Sequence, residues 1–132
     1  MSDKTSPTHY KKSERIQIWD YFGVLNGTQS NILKYLTRIG QGESIADDKA
    51  KIISYAENHL RYKLDINAHK LTGQQITNIY ISIIRHICRF SNSAYAQDLC
   101  YAVLCQDYNR FIDMVNNEDR FNHFVNSQIH EH

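Results

Sequence analysis

The chain has few residues that interrupt helices, with one proline and five glycines among 132 residues. β-Branched residues seldom alternate with polar ones, so the pattern typical of strands is scarce. Apolar residues instead recur at helical spacing through most of the sequence, which predicts helices. We therefore expect an all-α fold, with residues 1–132 forming a single domain in one compact bundle of about five to six helices.

Cysteine, metal-ligand spacing and net charge are also limited. The three cysteines include no CxxC pair, and no two histidines have the ligand spacing of a helical metal motif. We expect no disulfide framework, no metal and no cofactor. The 15 basic and 14 acidic residues give a formal charge of +1, so bulk attraction to a nucleic-acid polymer is a poor explanation of function.

Long hydrophobic runs are missing as well. No apolar stretch approaches the ~20 residues that span a bilayer, and the polar start of the chain lacks the apolar region of a signal peptide. We expect no membrane partner and a location in a reducing cytosol.

The apolar periodicity and the capping residues divide the chain into helices. We expect an extended arm over residues 1–12, because Pro7 disfavours helix before it, and a connector over residues 65–71. Helices are predicted at residues 13–25, between an N-cap at Thr28 and Gly40, from Ser44 to about residue 63, at residues 74–90, at residues 94–105 and at residues 108–126. The pairs Ser44 with Asp47 and Thr72 with Gln75 have capping-box spacing.

The second half of the chain is unusually apolar. The predicted helix at 74–90 has two apolar seams, one of Ile76, Tyr80, Ile83, Ile87 and Phe90 and another of Ile81, Ile84 and Cys88. A helix that is apolar on two sides lies centrally in its domain or is covered by another subunit. We expect residues 72–126 to form a helical extension that supplies core and subunit contacts, and the protein to be a homo-oligomer.

One predicted helix has a polar face that stands out. Asn31, Lys34, Tyr35 and Arg38 fall at i, i+3, i+4 and i+7, while the aliphatic side chains of residues 32–39 fall on the opposite face. Two cations, an amide and a phenol on one face suit a phosphorylated, ring-bearing small molecule. The same residues also fit an ordinary solvated helix face, and the spacing does not decide between these interpretations.

The next predicted helix has a similar face. Asp48, Lys51 and Tyr55 fall at i, i+3 and i+7, and an antiparallel pair of helices could bring Lys51 beside Lys34 and Arg38. Arginine suits bidentate phosphate contact and lysine a point-charge contact. Asp48 could orient one cation, although its place in a first helical turn is also explained by the helix dipole.

These polar residues occur in an order that resembles a known family. The pattern consists of Pro7-x-His9-Tyr10, residues 16–20, Asn31-x-x-Lys34-Tyr35-x-x-Arg38-x-Gly40 and Asp48-x-x-Lys51-x-x-x-Tyr55. Over residues 7–60 it resembles the phage SaV-like domain of unknown function, a family that includes a phage nucleotide kinase unrelated to P-loop kinases.

The resemblance implies a phage origin and a nucleotide-binding region at residues 13–63. The ligand-binding positions that it implies are His9, Tyr10, Asn31, Lys34, Tyr35, Arg38, Asp48, Lys51 and Tyr55. His9 and Tyr10 could belong to an arm that folds over the site, where His9 would contact a phosphate or move a proton, or to an arm without a role.

Groups suited to turnover are fewer than groups suited to binding. The chain has no GxxxxGK[ST] loop, and Asp47 and Asp48 are adjacent, so they point to different sides of a helix. We therefore expect a phage nucleotide-binding protein, with binding favoured over catalysis, which could sequester a host antiviral nucleotide signal in the bacterial cytosol. The alternatives are a nucleoside monophosphate kinase and a helical adaptor that binds a host protein.

Overall fold

The computed structural model describes residues 25–39, 44–62, 70–87 and 93–129, and within these ranges helices are the only regular secondary structure. The helices are α1 (Gly27–Arg38), α2 (Ile45–Tyr62), α3 (Gly73–Ile87), α4 (Ala94–Leu104), α5 (Tyr108–Asn116) and α6 (Glu118–Ile129). The predicted all-α class is confirmed. The predicted arm, nearly all of the predicted first helix and Gly40 lie outside the described residues.

The length and polarity of these helices bear on the membrane prediction. None of the helices in the described part of the chain is both long enough and apolar enough to cross a bilayer.

The start of α1 differs from the prediction. Asn26, not Thr28, is the N-cap: its Oδ1 accepts a hydrogen bond from the Gln29 backbone N–H at 2.8 Å, and the Asn26 N–H donates to Gln29 Oε1 at 3.0 Å. This reciprocal capping box satisfies two donors at once, whereas a hydroxyl at Thr28 would satisfy one. The Asn-Gly pair therefore begins the helix.

Thr28 instead joins α1 to α2. It is buried in the first turn of α1, and its Oγ1 lies 3.0 Å from Nδ1 of the buried His59 in α2. The His59 ring also packs on Tyr108 of α5, with ring centroids 4.5 Å apart. This contact fixes three helices at one point through polar groups that are withdrawn from water.

Two other predicted caps are present. The Asp47 N–H donates to Ser44 Oγ at 3.2 Å before α2. Before α3, Thr72 and Gln75 form the full reciprocal box, with N–H to side-chain oxygen distances of 2.9 and 3.1 Å. Both were signalled by a hydroxyl residue three positions before an acceptor side chain.

The core receives the predicted apolar face of α1. Ile32, Leu33, Leu36 and Ile39 are all 0% exposed. They pack with aliphatic residues of α2 and α3 and with the aromatic residues of α4–α6, of which the fully buried ones are Tyr108, Phe111, Phe121 and Phe124. The polar stripe of α1 therefore lies outside this fully buried face, with Lys34 exposed and Asn31, Tyr35 and Arg38 half-buried.

The buried face of α3 is rotated from the predicted seam. It consists of Ile79, Ile83 and Ile87, at i, i+4 and i+8. The predicted seam has Tyr80 in place of Ile79, but Tyr80 is half-buried and stacks on Tyr101 of α4. Ile81, from the second predicted seam, is 62% exposed.

A helix predicted as continuous over residues 108–126 is divided at Asn117. The side-chain oxygen of Asn117 accepts a hydrogen bond from the Arg120 N–H at 3.3 Å and so caps α6. Asn117 has an extended backbone, with φ −77° and ψ 91°. An asparagine followed by Glu118 and Asp119 is an N-cap signal, and apolar periodicity alone does not register it.

A buried amide joins the end of α4 to the start of α1. Gln29 is 1% exposed, and its Nε2 donates to the carbonyl oxygens of Val103 and Leu104 at 3.2 and 3.0 Å. Carbonyls in the last turn of a helix have no partner within that helix. The Gln29 side chain gives the Leu104 carbonyl a donor and the Val103 carbonyl a second donor beside the Gln106 N–H at 3.1 Å. Asn26 adds a hydrogen bond to Gln106, which takes a left-handed backbone conformation after α4 (φ 59°).

We expect Gln29→Ala to lower the free energy of unfolding by about 2–4 kcal/mol, because the Leu104 carbonyl loses its side-chain donor, the Val103 carbonyl loses one of two donors, and a cap is lost. Gln75→Ala is the matched control, since Gln75 caps α3 in the same manner without reaching another helix. It should cost about 1 kcal/mol. Urea unfolding measures both values, and equal losses would contradict a structural role for the contacts between α1 and α4.

A buried phenol joins α4 to α5. The Tyr95 hydroxyl donates to the Met114 carbonyl oxygen at 2.6 Å, and the Arg120 guanidinium carbon lies 4.7 Å from the Tyr95 ring centroid. Burial raises the pKa of Tyr95 from 10.0 to about 12, against the opposing effect of the positive charge of Arg120.

This raised pKa predicts an alkaline loss of stability. Above pH 10.0 the unfolded chain releases the Tyr95 proton, while the folded chain holds it to about pH 12, so the free energy of unfolding decreases between these values. Tyr95→Phe should flatten that slope in urea unfolding measured across this range. Tyr62→Phe, at a 62% exposed position, should leave the slope as it is. The prediction is contradicted if both variants keep it.

Candidate functional site

The two predicted polar stripes meet where α1 packs against α2. Tyr35 from α1 and Tyr55 from α2 are both half-buried against the core, and their ring centroids lie 6.2 Å apart with planes inclined by 29°. Burial of the opposite face of α1 leaves Tyr35 at the edge of the helix pair. The predicted proximity of the stripes is therefore present in the structure.

Two cations lie over the Tyr35 ring. The Arg38 guanidinium carbon is 4.8 Å from the ring centroid, and the Lys51 ammonium nitrogen is 5.1 Å from the same centroid. Arg38 is three residues beyond Tyr35 on α1, and Lys51 is one turn before Tyr55 on α2, so both helices contribute one aromatic ring and one cation. We call Tyr35, Arg38, Lys51 and Tyr55 the Tyr35 cluster.

Each cation contact with the ring contributes a modest attraction. A cation over an aromatic face is worth about 0.5–1 kcal/mol at exposed sites, and more when water is excluded. Arg38 is half-buried and Lys51 is exposed. Because both groups lie close to the same ring centroid, two positive charges converge at this edge of the α1–α2 pair.

The charge of Arg38 is not matched by a carboxylate in the described part of the chain. The ion pair found there joins Arg110 to Asp98 at 3.3 Å, far along the sequence in α5 and α4. Arg38 also lies in the last turn of α1, where a cation complements the helix dipole. Its guanidinium thus contacts the Tyr35 face and still has N–H groups available for an oxygen ligand.

Two residues of the first stripe lie outside the Tyr35 cluster. Asn31 is half-buried, and its Nδ2 donates to the Gly27 carbonyl oxygen at 3.0 Å, within its own helix. Lys34 is exposed one turn before Arg38, on the same side of α1. Lys34 could therefore add a third positive charge to a bound anion, whereas the amide of Asn31 is engaged locally.

Asp48 lies on the buried side of α2. It is 2% exposed, and its position one turn before Ile52 aligns it with the core-facing residues of that helix. One turn of an α-helix is between three and four residues long, so Asp48 is a neighbour of both Lys51 and Ile52 on the helix surface. Asp48 is therefore withdrawn from water, whereas Lys51 is exposed.

His9 and Tyr10 lie outside the described residues. The nine predicted site residues thus divide into the four of the Tyr35 cluster, Asn31 and Lys34 on the same helix face, the buried Asp48, and this pair. The described residues contain no group of three or more histidine, cysteine, aspartate or glutamate side chains that could hold a metal ion.

The sequence did not indicate how the tyrosines are used. The resemblance implied that Tyr35 and Tyr55 are ligand-binding positions, whereas in the structure two cations lie over the Tyr35 ring. The spacing of three residues between Tyr35 and Arg38 was a signal for this contact, since such residues are neighbours on a helix surface. The approach of Lys51 depends on how α1 and α2 pack, and no local signal encodes it.

Comparisons of the chain with protein-family models, curated proteins and solved structures find no match. The nucleotide ligand implied by the SaV-like motif therefore stays a prediction, and the Tyr35 cluster is the geometry on which a proposal can be based.

Proposed function

We propose that the protein binds a phosphorylated nucleotide at the Tyr35 cluster. The single observation that supports this is the convergence of Arg38 and Lys51, from two helices, within 5.1 Å of one ring centroid. In this proposal both cations contact the phosphate and Lys34 reaches it from the adjacent turn.

The chemistry of the two cations suits phosphate. Arginine presents a planar fork that can bind two phosphate oxygens, and lysine adds a compact charge. Hydrogen bonds to charged groups contribute about 1.5–3 kcal/mol each, so two such residues are sufficient for measurable binding of a small anion. The tyrosine rings then lie beside the phosphate, where a ribose or a base would follow.

Binding without turnover is favoured over a nucleoside monophosphate kinase by the position of Asp48. A carboxylate that assisted phosphoryl transfer would have to reach the substrate hydroxyl, whereas Asp48 is 2% exposed on the core side of α2. We propose that the protein acts in the cytosol of an infected bacterium, where it binds a nucleotide signal and so lowers its free concentration.

The test is calorimetric titration with a panel of ribonucleotides and deoxyribonucleotides. The double variant Arg38→Ala/Lys51→Ala should weaken binding at least about 100-fold, because it removes two charged contacts to the phosphate. The matched control is Lys49→Ala/Arg61→Ala. It removes the same charge and two similar cation–ring contacts, over Phe121 and Tyr62, from elsewhere on α2.

The control variant should bind within about twofold of the wild type. Equal losses in the two double variants would mean that net charge, not the Tyr35 cluster, determines affinity, and would contradict the proposal. Mass spectrometry of the released ligand should return the nucleotide unchanged, and a diphosphate product formed with ATP would identify a kinase instead.

We also propose that the protein self-associates through the second half of the chain. Two of its apolar side chains face solvent in the single chain, Ile81 at 62% and Tyr101 at 39% exposure. Light scattering should give a mass that is a multiple of 15.5 kDa, and Ile81→Asp should lower it. A monomeric wild-type protein at micromolar concentration would contradict this.

A further inference from the structure

We infer that Tyr35 is a positioning residue that acts on the ligand through Arg38 and Lys51, and that Tyr55 is the ring that contacts the nucleoside. This inference rests on the proposed function, since it assigns roles within the same site.

The Tyr35 ring is already in contact with two cations. Cations lie over it at 4.8 and 5.1 Å from its centroid. A base that stacked on a ring face carrying one of these cations would have to displace it. Displacement would lose the cation contact and would move a positive charge away from the phosphate. Stacking on Tyr35 and phosphate binding by both cations therefore oppose each other.

The Tyr35 ring reduces the side-chain entropy that Arg38 and Lys51 lose when a ligand binds. Arginine and lysine have many rotamers, and ordering them on binding a ligand opposes association. The Tyr35 ring is packed against the core, so it offers a fixed surface on which both side chains are already confined. It also draws two like charges together, which a phosphate then bridges. The ring thus lowers the cost of organising the phosphate site before any ligand arrives.

The Tyr55 ring lies next to the proposed phosphate site. It lies one turn beyond Lys51 on α2, and its ring centroid is 6.2 Å from that of Tyr35. Within the described residues, Arg38 and Lys51 lie over the ring of Tyr35 and not over that of Tyr55. A nucleoside attached to a phosphate at Arg38 and Lys51 would therefore find an aromatic side chain next to it at Tyr55.

Two kinds of probe separate these roles. Nucleoside triphosphates carry both a base and phosphates, whereas inorganic triphosphate carries phosphates alone. If Tyr35 acts through the cations, Tyr35→Leu should weaken binding of both probes by the same factor, about tenfold for two lost ring contacts. Tyr35→Phe keeps the ring and should restore both affinities. Tyr55→Leu should weaken the nucleotides and leave inorganic triphosphate within about twofold.

The inference is overturned if Tyr35→Leu weakens the nucleotides but not inorganic triphosphate, because that result assigns base stacking to Tyr35. It is also overturned if wild-type protein binds nucleotides but no inorganic triphosphate. A wild-type protein that binds neither probe at the Tyr35 cluster contradicts the proposed function itself, so the two failures are distinguishable.

A measurement on wild-type protein covers the case in which Tyr35→Leu does not fold. Methylene protons next to a cation held over an aromatic ring are shifted upfield in NMR spectra. The Lys51 ε-methylene signal, assigned by its loss in Lys51→Arg, should be upfield of the ordinary lysine position with and without inorganic triphosphate, as should that of Lys49, which lies over Phe121. A Lys51 signal at the ordinary lysine position would contradict the positioning role.

Discussion

Burial of the aliphatic face of α1 determines where the charged groups of the candidate site lie. Ile32, Leu33, Leu36 and Ile39 are completely withdrawn from water, so the helix cannot rotate without exposing them. That constraint holds Tyr35 and Arg38 at the edge of the α1–α2 pair. Lys51 lies one turn before Tyr55 on α2. Because the Tyr55 ring lies beside the Tyr35 ring, Lys51 also reaches Tyr35.

Several polar contacts fix the orientation of the helices around this pair. Gln29 connects the start of α1 to the end of α4, and His59 connects α2 to Thr28 of α1 and Tyr108 of α5. These groups are buried, so losing one partner leaves an unsatisfied polar atom in the core. Apolar packing gives the bundle its stability, and these directional contacts favour one arrangement of the helices over others that bury similar area.

The sequence predicted what depends on local spacing and could not predict what depends on packing. Helical periodicity identified both polar stripes, and hydroxyl-to-acceptor spacing identified the caps at Ser44 and Thr72. The same reasoning placed the α1 cap at Thr28, because it considered the Thr28 hydroxyl alone. It did not consider the reciprocal capping box between Asn26 and Gln29. The buried position of Asp48 follows from the rotation of α2, which is set by tertiary contacts.

NMR spectroscopy during ligand addition tests whether a nucleotide binds at the Tyr35 cluster. In ¹H–¹⁵N NMR spectra that record arginine side chains, nucleotide should shift the Arg38 Nε–H signal saturably and leave the Arg61 signal unchanged, although Arg61 also lies over a tyrosine ring. The Lys51 ε-methylene signal should follow the Arg38 signal with the same apparent dissociation constant. A saturable shift confined to residues away from Tyr35, or no shift at all, would contradict nucleotide binding at the Tyr35 cluster.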